Sequence, residues 1–259
     1  MKFDPFLEKE SWLRADAYLL KSFLSGLLSV YKAGDPLGSM AAGHVGFIIS
    51  CWLIGLNREV APAIPRAIEW LNLAISQDEG HNRPAPNIHR EALHQAKALA
   101  LWLQSGDAAI EVWEKAREYN LLCLEEGAYR NKTKTEGLDD YLCYCIQSEQ
   151  YQAGITEYEK YYGVKKISLK KTLSPRAYGY AFCLNEINPQ YSADDLLEAG
   201  RKMLQANLED HPWLGYGNYY CAAMWLKNVY WHHNRTLTPL ETLLKAYENM
   251  PGVPRPSFV

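Results

Sequence analysis

Residues 87–127 read NIHREALHQAKALALWLQSGDAAIEVWEKAREYNLLCLEEG, two apolar runs separated by a short polar break. The first run is Leu93, Ala96, Leu99, Ala100 and Leu103, and the second is Ala109, Val112, Trp113, Ala116, Tyr119 and Cys123. Spacings of three and four place each run on one face of a helix. Between the runs, Gly106 can adopt the left-handed conformation that ends a helix, and Asp107 can cap the next one. The stretch therefore predicts an antiparallel helical hairpin.

Helical patterns continue on both sides of this hairpin. An amphipathic pattern covers 63–77, and two further apolar helices are predicted over 138–150 and 151–163. Ser174-Pro175 and the capping-box pair Ser192 and Asp195 predict two more helix starts. About eleven helices and no strand are expected along the chain. We expect an all-α fold of antiparallel hairpins stacked in a TPR- or solenoid-like globular array.

A weak internal repeat favours the stacked array. Ala67-Ile68-Glu69 recurs as Ala109-Ile110-Glu111, an offset of 42 residues. Leu103-Gln104-Ser105 recurs as Ile146-Gln147-Ser148, an offset of 43 residues. Two-helix units of about this length are typical of α-solenoids, although short matches also arise by chance in helical proteins. The array is expected to form one domain over 1–259, with 1–127 and 128–259 as the alternative division.

Composition excludes several classes of partner. The chain has 259 residues and a formal net charge of -3, which predicts neither nucleic acid nor an anionic membrane as partner. Its N-terminus lacks the pattern of a secretory signal, and no apolar window is long enough to predict a membrane span. The six cysteines lie mostly within predicted helices, as reduced packing residues do. A cytoplasmic protein is expected.

No motif predicts catalysis, a cofactor or a metal ion. His89 and His94 are five residues apart, whereas a helical zinc motif requires two histidines four apart, so they are interpreted as surface histidines. Cys143 and Cys145 lack the spacing of a zinc site and are interpreted as packing residues. We therefore expect a protein without enzymatic activity and without a bound cofactor.

The stretch 125–162 combines acidic residues with tyrosines and is the predicted partner-binding face. The candidate contact residues are Glu125, Glu126, Asp139, Asp140, Tyr141, Tyr144, Glu149, Tyr151, Glu157, Tyr158 and Tyr161. Carboxylates steer the encounter with a basic partner, and tyrosine rings serve as anchors. The alternative is a solvated helical face whose tyrosines partly serve the core. The basic run Lys165, Lys166, Lys170, Lys171 and Arg176 could also neutralise this face internally, which would remove the interface.

Ala- and Leu-rich helical pairs such as 91–117, joined by Gly-Asp turns at 34–35 and 106–107, resemble the all-helical immunity proteins of bacterial toxin systems. The particular resemblance is to the immunity protein 49 family. It implies a cytoplasmic protein that neutralises a cognate antibacterial effector toxin, for instance a nuclease delivered by contact-dependent or type VI secretion.

Two other functions remain open from the residues. A helical-repeat adaptor that binds another protein would carry a concave groove lined by polar residues. An α-helical enzyme would bring Asp, Glu or His side chains into one cavity. The DDxxD spacing of isoprenoid synthases is absent after Asp139-Asp140 and after Asp194-Asp195, which counts against one version of the enzyme.

Overall fold

The computed structural model describes residues 64–80, 87–105, 110–127, 137–210 and 229. Of these residues 79% are helical and none lies in a strand, which confirms the all-α class for this part of the chain. The described helices are α1 (Ile64–Glu79), α2 (Asn87–Ser105), α3 (Ile110–Glu126), α4 (Leu138–Gln147), α5 (Tyr151–Tyr162), α6 (Pro175–Ile187) and α7 (Ala193–Asp210). Helices predicted before residue 64 and after residue 210 lie outside the described residues, as do the two Gly-Asp turns.

Helices α2 and α3 form the predicted antiparallel hairpin. Asn87 Nδ2 donates to Glu126 Oε1 at 2.8 Å, so the first residue of α2 lies beside the last residue of α3. One turn further in, Asn120 Nδ2 of α3 donates to Glu91 Oε1 of α2 at 2.8 Å. Later residues of α2 therefore contact earlier residues of α3, as in an antiparallel pair.

Helix α2 is buried on more than the one predicted face. Leu93, Ala96 and Ala100 are buried as the spacing predicts, but Ala98 and Trp102 are buried as well. The reason is that α2 packs against α1 on one side and against α3 on the other. The small side chains of the alanines allow close helix approaches, and Trp102 belongs to the buried core cluster.

A polar contact in the core joins α2, α3 and α4. Glu91 Oε1 accepts one hydrogen bond from Asn120 Nδ2 and another from the Tyr144 hydroxyl at 3.0 Å. Glu91 is 5% exposed, and Asn120 and Tyr144 are fully buried. Buried polar groups are stable only when hydrogen-bonded, so these bonds fix the three helices relative to one another.

Helices α5 and α6 form a second antiparallel pair. Arg176 Nη1, near the start of α6, donates to the Tyr162 hydroxyl at the end of α5 at 2.9 Å. One turn away, the rings of Tyr158 and Tyr180 stack with centroids 4.1 Å apart. The Tyr180 hydroxyl donates to Glu159 Oε1 at 2.7 Å, which satisfies the polar end of a buried ring.

Gly154 allows α4, α5 and α6 to meet closely. A Cβ atom at this position would lie 3.1 Å from Cys145 Cβ, 3.1 Å from Cys183 Sγ and 3.2 Å from Leu142 Cδ2. Cys143, Cys145 and Cys183 are buried and form no disulfide, so the prediction of packing cysteines is confirmed. Burial raises the pKa of the Cys145 thiol to about 12, which keeps it in the neutral form.

The predicted starts of α6 and α7 are confirmed by their caps. Ser174 Oγ accepts from the Ala177 backbone N–H at 3.4 Å, and Pro175 occupies the first helical position. Ser192 Oγ accepts from the Asp195 N–H at 3.1 Å and donates to Asp195 Oδ2 at 2.7 Å. Both contacts satisfy groups that a helix start otherwise leaves unpaired.

The interpretation of His94 as a surface histidine is wrong. His94 is buried and stacks on Tyr119 with ring centroids 5.3 Å apart. Burial, assisted by the charges of Lys97 and Lys115, lowers its pKa from 6.5 to about 4. The imidazole is therefore a neutral core group between α2 and α3.

This burial predicts an acid-sensitive fold. Between pH 4 and 6.5 the unfolded chain protonates His94 while the folded chain does not, so the free energy of unfolding falls as the pH falls. We expect His94 to destabilise the protein by about 2 kcal/mol at about pH 5 relative to about pH 7.5. Urea unfolding at both values checks this, with His94→Gln losing that much less stability on acidification. Equal losses in both proteins would contradict the assignment.

Candidate protein-binding surface

The structure divides the eleven candidate contact residues into three groups by exposure. The exposed residues are Glu125, Glu126 and Glu149; the half-buried ones are Asp139, Asp140, Tyr151 and Tyr161; the buried ones are Tyr141, Tyr144, Glu157 and Tyr158. The helices that carry them therefore do not present the whole set to one partner.

Three of the predicted anchoring tyrosines belong to the core. Tyr144 stacks on Trp113 and donates to Glu91, and Tyr158 stacks on Tyr180. Tyr141 accepts a hydrogen bond of 3.3 Å from Arg117 Nη1, and burial raises its pKa well above the usual range. A partner cannot reach these rings in this arrangement. For these three tyrosines, the alternative that they serve the core is therefore correct.

Two of the predicted carboxylates have partners within the protein. Asp139 Oδ1 lies 3.1 Å from Arg176 Nε, and burial raises the pKa of Asp139 although Arg176 opposes the shift. Glu157 Oε1 lies 3.1 Å from Lys160 Nζ, and Glu157 is nearly buried. Of the basic run, Arg176 neutralises one carboxylate of the predicted face, that of Asp139. The four lysines of that run form no ion pair with a described residue.

Exposed glutamates form a stripe along α3. Only part of this stripe lies within the acidic stretch 125–162. We call this stripe, with the glutamate of the adjacent turn, the acidic surface: Glu111, Glu114, Glu118, Glu125, Glu126 and Glu149. Glu111, Glu114, Glu118 and Glu125 follow one another at spacings of three, four and seven residues, and Glu126 is adjacent to Glu125, which places all five on one side of α3. Glu114 is half-buried and the other five are exposed. Leu122, 40% exposed, lies between Glu118 and Glu125 on the same stripe.

Contacts with α5 and its preceding turn position the acidic surface. Gln150 Nε2 donates to Glu114 Oε1 at 3.1 Å, so the turn that carries Glu149 lies beside the first half of α3. Glu149 adopts a left-handed backbone conformation, with φ of 59°. At the other end, the charge of Glu125 helps to raise the pKa of Lys160, although the larger cause is the hydrogen bond from Lys160 to Glu157.

The cation Lys115 lies among the glutamates of the acidic surface. Lys115 Nζ is 2.6 Å from Glu118 Oε2, and this hydrogen bond raises the pKa of Lys115. Both side chains are about half exposed, so the pair is screened by water and contributes little to stability. Among the described residues, six carboxylates against Lys115 and the nearby Lys160 leave the surface with an excess of negative charge.

The predicted contact residues do not include Glu111, Glu114 and Glu118. The prediction considers only acidic residues of the stretch 125–162. Their signal is present in IEVWEKAREYNLLCLEE (110–126), where glutamates follow the helical period opposite Trp113 and Ala116. Comparing helix faces, instead of successive residues, identifies them.

No family model, curated protein or solved structure matches this chain. Among the described residues, no group of three or more His, Cys, Asp or Glu side chains is arranged to hold a metal ion. None of the described helices combines the length and apolar character of a membrane span.

Core and surface tyrosines should respond differently to truncation. We expect Tyr158→Ala to lower the free energy of unfolding by about 3–5 kcal/mol, because it removes a buried ring from the stack on Tyr180. Tyr161→Ala, on the same helix, should cost roughly 1 kcal/mol since its ring is half in solvent. Urea unfolding of both variants measures this. Equal destabilisation would show that the two tyrosines share one environment.

Proposed function

We propose that this protein is an immunity protein, which binds a cognate antibacterial toxin through the acidic surface and blocks the toxin's active site. The observation that supports this function most is the stripe of exposed glutamates on α3, with Leu122 at its centre. The helix behind the stripe is held by buried contacts, so the carboxylates are presented from a rigid support. The contact residues proposed here differ from those predicted from the sequence. Glutamates of α3 take the place of the buried tyrosines.

The chemistry of the stripe favours a basic toxin. Clustered carboxylates accelerate encounter with a positive surface and exclude negative ones, while an exposed leucine supplies an apolar contact at the centre. A nuclease fits this requirement because its active site binds phosphates, and carboxylates can occupy the same positions. Delivery of such a toxin by contact-dependent or type VI secretion would place this protein in the bacterial cytoplasm.

We further propose that the helices form the stacked array expected from the internal repeat. Helices α1, α3, α5 and α7 begin at residues 64, 110, 151 and 193, which are intervals of 46, 41 and 42 residues. The hydrogen bond between Gln150 and Glu114 places the start of α5 next to α3, whereas the main packing neighbours of α3 are α2 and α4. In such an array alternate helices line one surface, and the acidic surface would belong to it.

The test is to express the product of the adjacent gene with this protein, and to measure growth rescue and the dissociation constant. The double reversal Glu118→Lys/Glu125→Lys should weaken binding by roughly 100-fold, because it places like charges opposite a basic toxin. Glu186→Lys/Glu198→Lys changes the net charge equally on exposed sites of α6 and α7, and it should change binding less than about threefold.

Each outcome separates the competing functions. Immunity through the acidic surface is supported if this protein relieves the toxicity and only Glu118→Lys/Glu125→Lys abolishes that relief. Relief that survives the α3 reversal contradicts this binding surface. Absence of both toxicity and binding contradicts the immunity function and favours the helical-repeat adaptor.

A further inference from the structure

The connection between α5 and α6 carries a concentrated positive charge. Residues 163–174 read GVKKISLKKTLS and contain four lysines without an acidic residue. We call Lys165, Lys166, Lys170 and Lys171 the basic ledge. All four side chains are exposed, and none forms an ion pair with a described residue. Arg176, which follows directly in α6, is by contrast paired with Asp139.

The backbone beneath the basic ledge is fixed. Ile167, Leu169 and Leu173 turn inward and pack against the core. The Tyr191 hydroxyl donates to the Ile167 carbonyl at 2.8 Å, while the Tyr191 N–H donates to Asn185 Oδ1 at 2.8 Å. These contacts hold an irregular segment in one conformation, which reduces the entropy that a ligand would have to remove on binding.

Further hydrogen bonds hold the backbone of residues 163–174 near its two ends. The backbone of Lys165 forms a hydrogen bond with the Tyr180 hydroxyl, and the Lys171 N–H donates to the Ser168 carbonyl at 3.3 Å in a turn. Ser174 then caps α6. The four lysines are therefore exposed on a segment that is anchored by Ile167, Leu169 and Leu173.

We propose that the basic ledge is a second binding surface, which takes an acidic segment of another protein. Four ammonium groups within residues 165–171 repel one another, and a carboxylate-rich segment would relieve this repulsion. Val164, 81% exposed beside Lys165, supplies an apolar contact for an aliphatic side chain in such a segment. The ledge shares no residue with the acidic surface, so this inference is independent of the immunity function.

The residue types favour a polypeptide over a nucleic acid. Surfaces that bind single strands add aromatic rings for stacking, and phosphate recognition favours the bidentate fork of arginine. Residues 163–174 contain neither an aromatic residue nor an arginine. Lysines with an exposed valine match carboxylates alternating with aliphatic side chains.

The experiment measures binding of a fluorescein-labelled peptide of alternating glutamate and leucine to the full chain by fluorescence anisotropy. Lys165→Gln/Lys166→Gln and Lys170→Gln/Lys171→Gln should each weaken binding by about fivefold to tenfold. Lys97→Gln/Lys202→Gln removes the same charge from sites on α2 and α7 that lie outside both proposed surfaces, and it should leave the affinity within about twofold. Raising NaCl from about 50 to 300 mM should weaken binding of the unmodified protein, since it shortens the screening length.

Three results would overturn the assignment. One is absence of peptide binding at low salt. Another is equal weakening by the Lys97/Lys202 pair, which would show that only net charge matters. The last is tighter binding of a single-stranded oligonucleotide of equal charge, lost in the same ledge variants, which would identify a nucleic-acid surface. Unchanged melting temperatures of the three double variants establish that each remains folded.

Discussion

The buried carboxylate of Glu91 is the contact on which the described helices most depend. It lies on α2 and accepts hydrogen bonds from Asn120 of α3 and Tyr144 of α4. A shift of any of these helices by one turn would leave a buried donor without its acceptor, at a cost of about 1–3 kcal/mol for each group. Apolar packing tolerates small slides between helices, whereas this contact specifies one register. The rotation of α3 about its axis follows from it.

That rotation determines which side chains of α3 reach solvent. With Asn120 turned toward Glu91, the buried residues Trp113, Ala116 and Cys123 share its side of the helix. The glutamates at three- and four-residue spacing occupy the opposite side. Core contact and acidic surface are therefore two consequences of the same helix orientation. A partner that binds the stripe would meet carboxylates whose backbone positions are already set.

Helices and their starts are predictable from the sequence, but the fate of individual aromatic residues is not. Ser174 and Ser192 predict helix starts because capping is a local property of a few residues. Tyr144 and Tyr158 could occupy the core or the surface, since a tyrosine has an apolar ring and a polar end. The Glu91 and Glu159 carboxylates that accept from Tyr144 and Tyr180 come from other helices. Only the packing of those helices decides burial, and His94 is misassigned for the same reason.

Zero-length carbodiimide cross-linking of the protein with the product of the adjacent gene, which is the proposed toxin, tests the central claim most directly when the products are identified by mass spectrometry. The reagent joins a carboxylate to a lysine only where the two are in contact. We predict cross-links from toxin lysines to Glu111, Glu118, Glu125, Glu126 and Glu149. Asp194 and Glu198, which are equally exposed on α7, should remain unlinked. Cross-links concentrated on α7, with none on α3 or Glu149, would contradict the account.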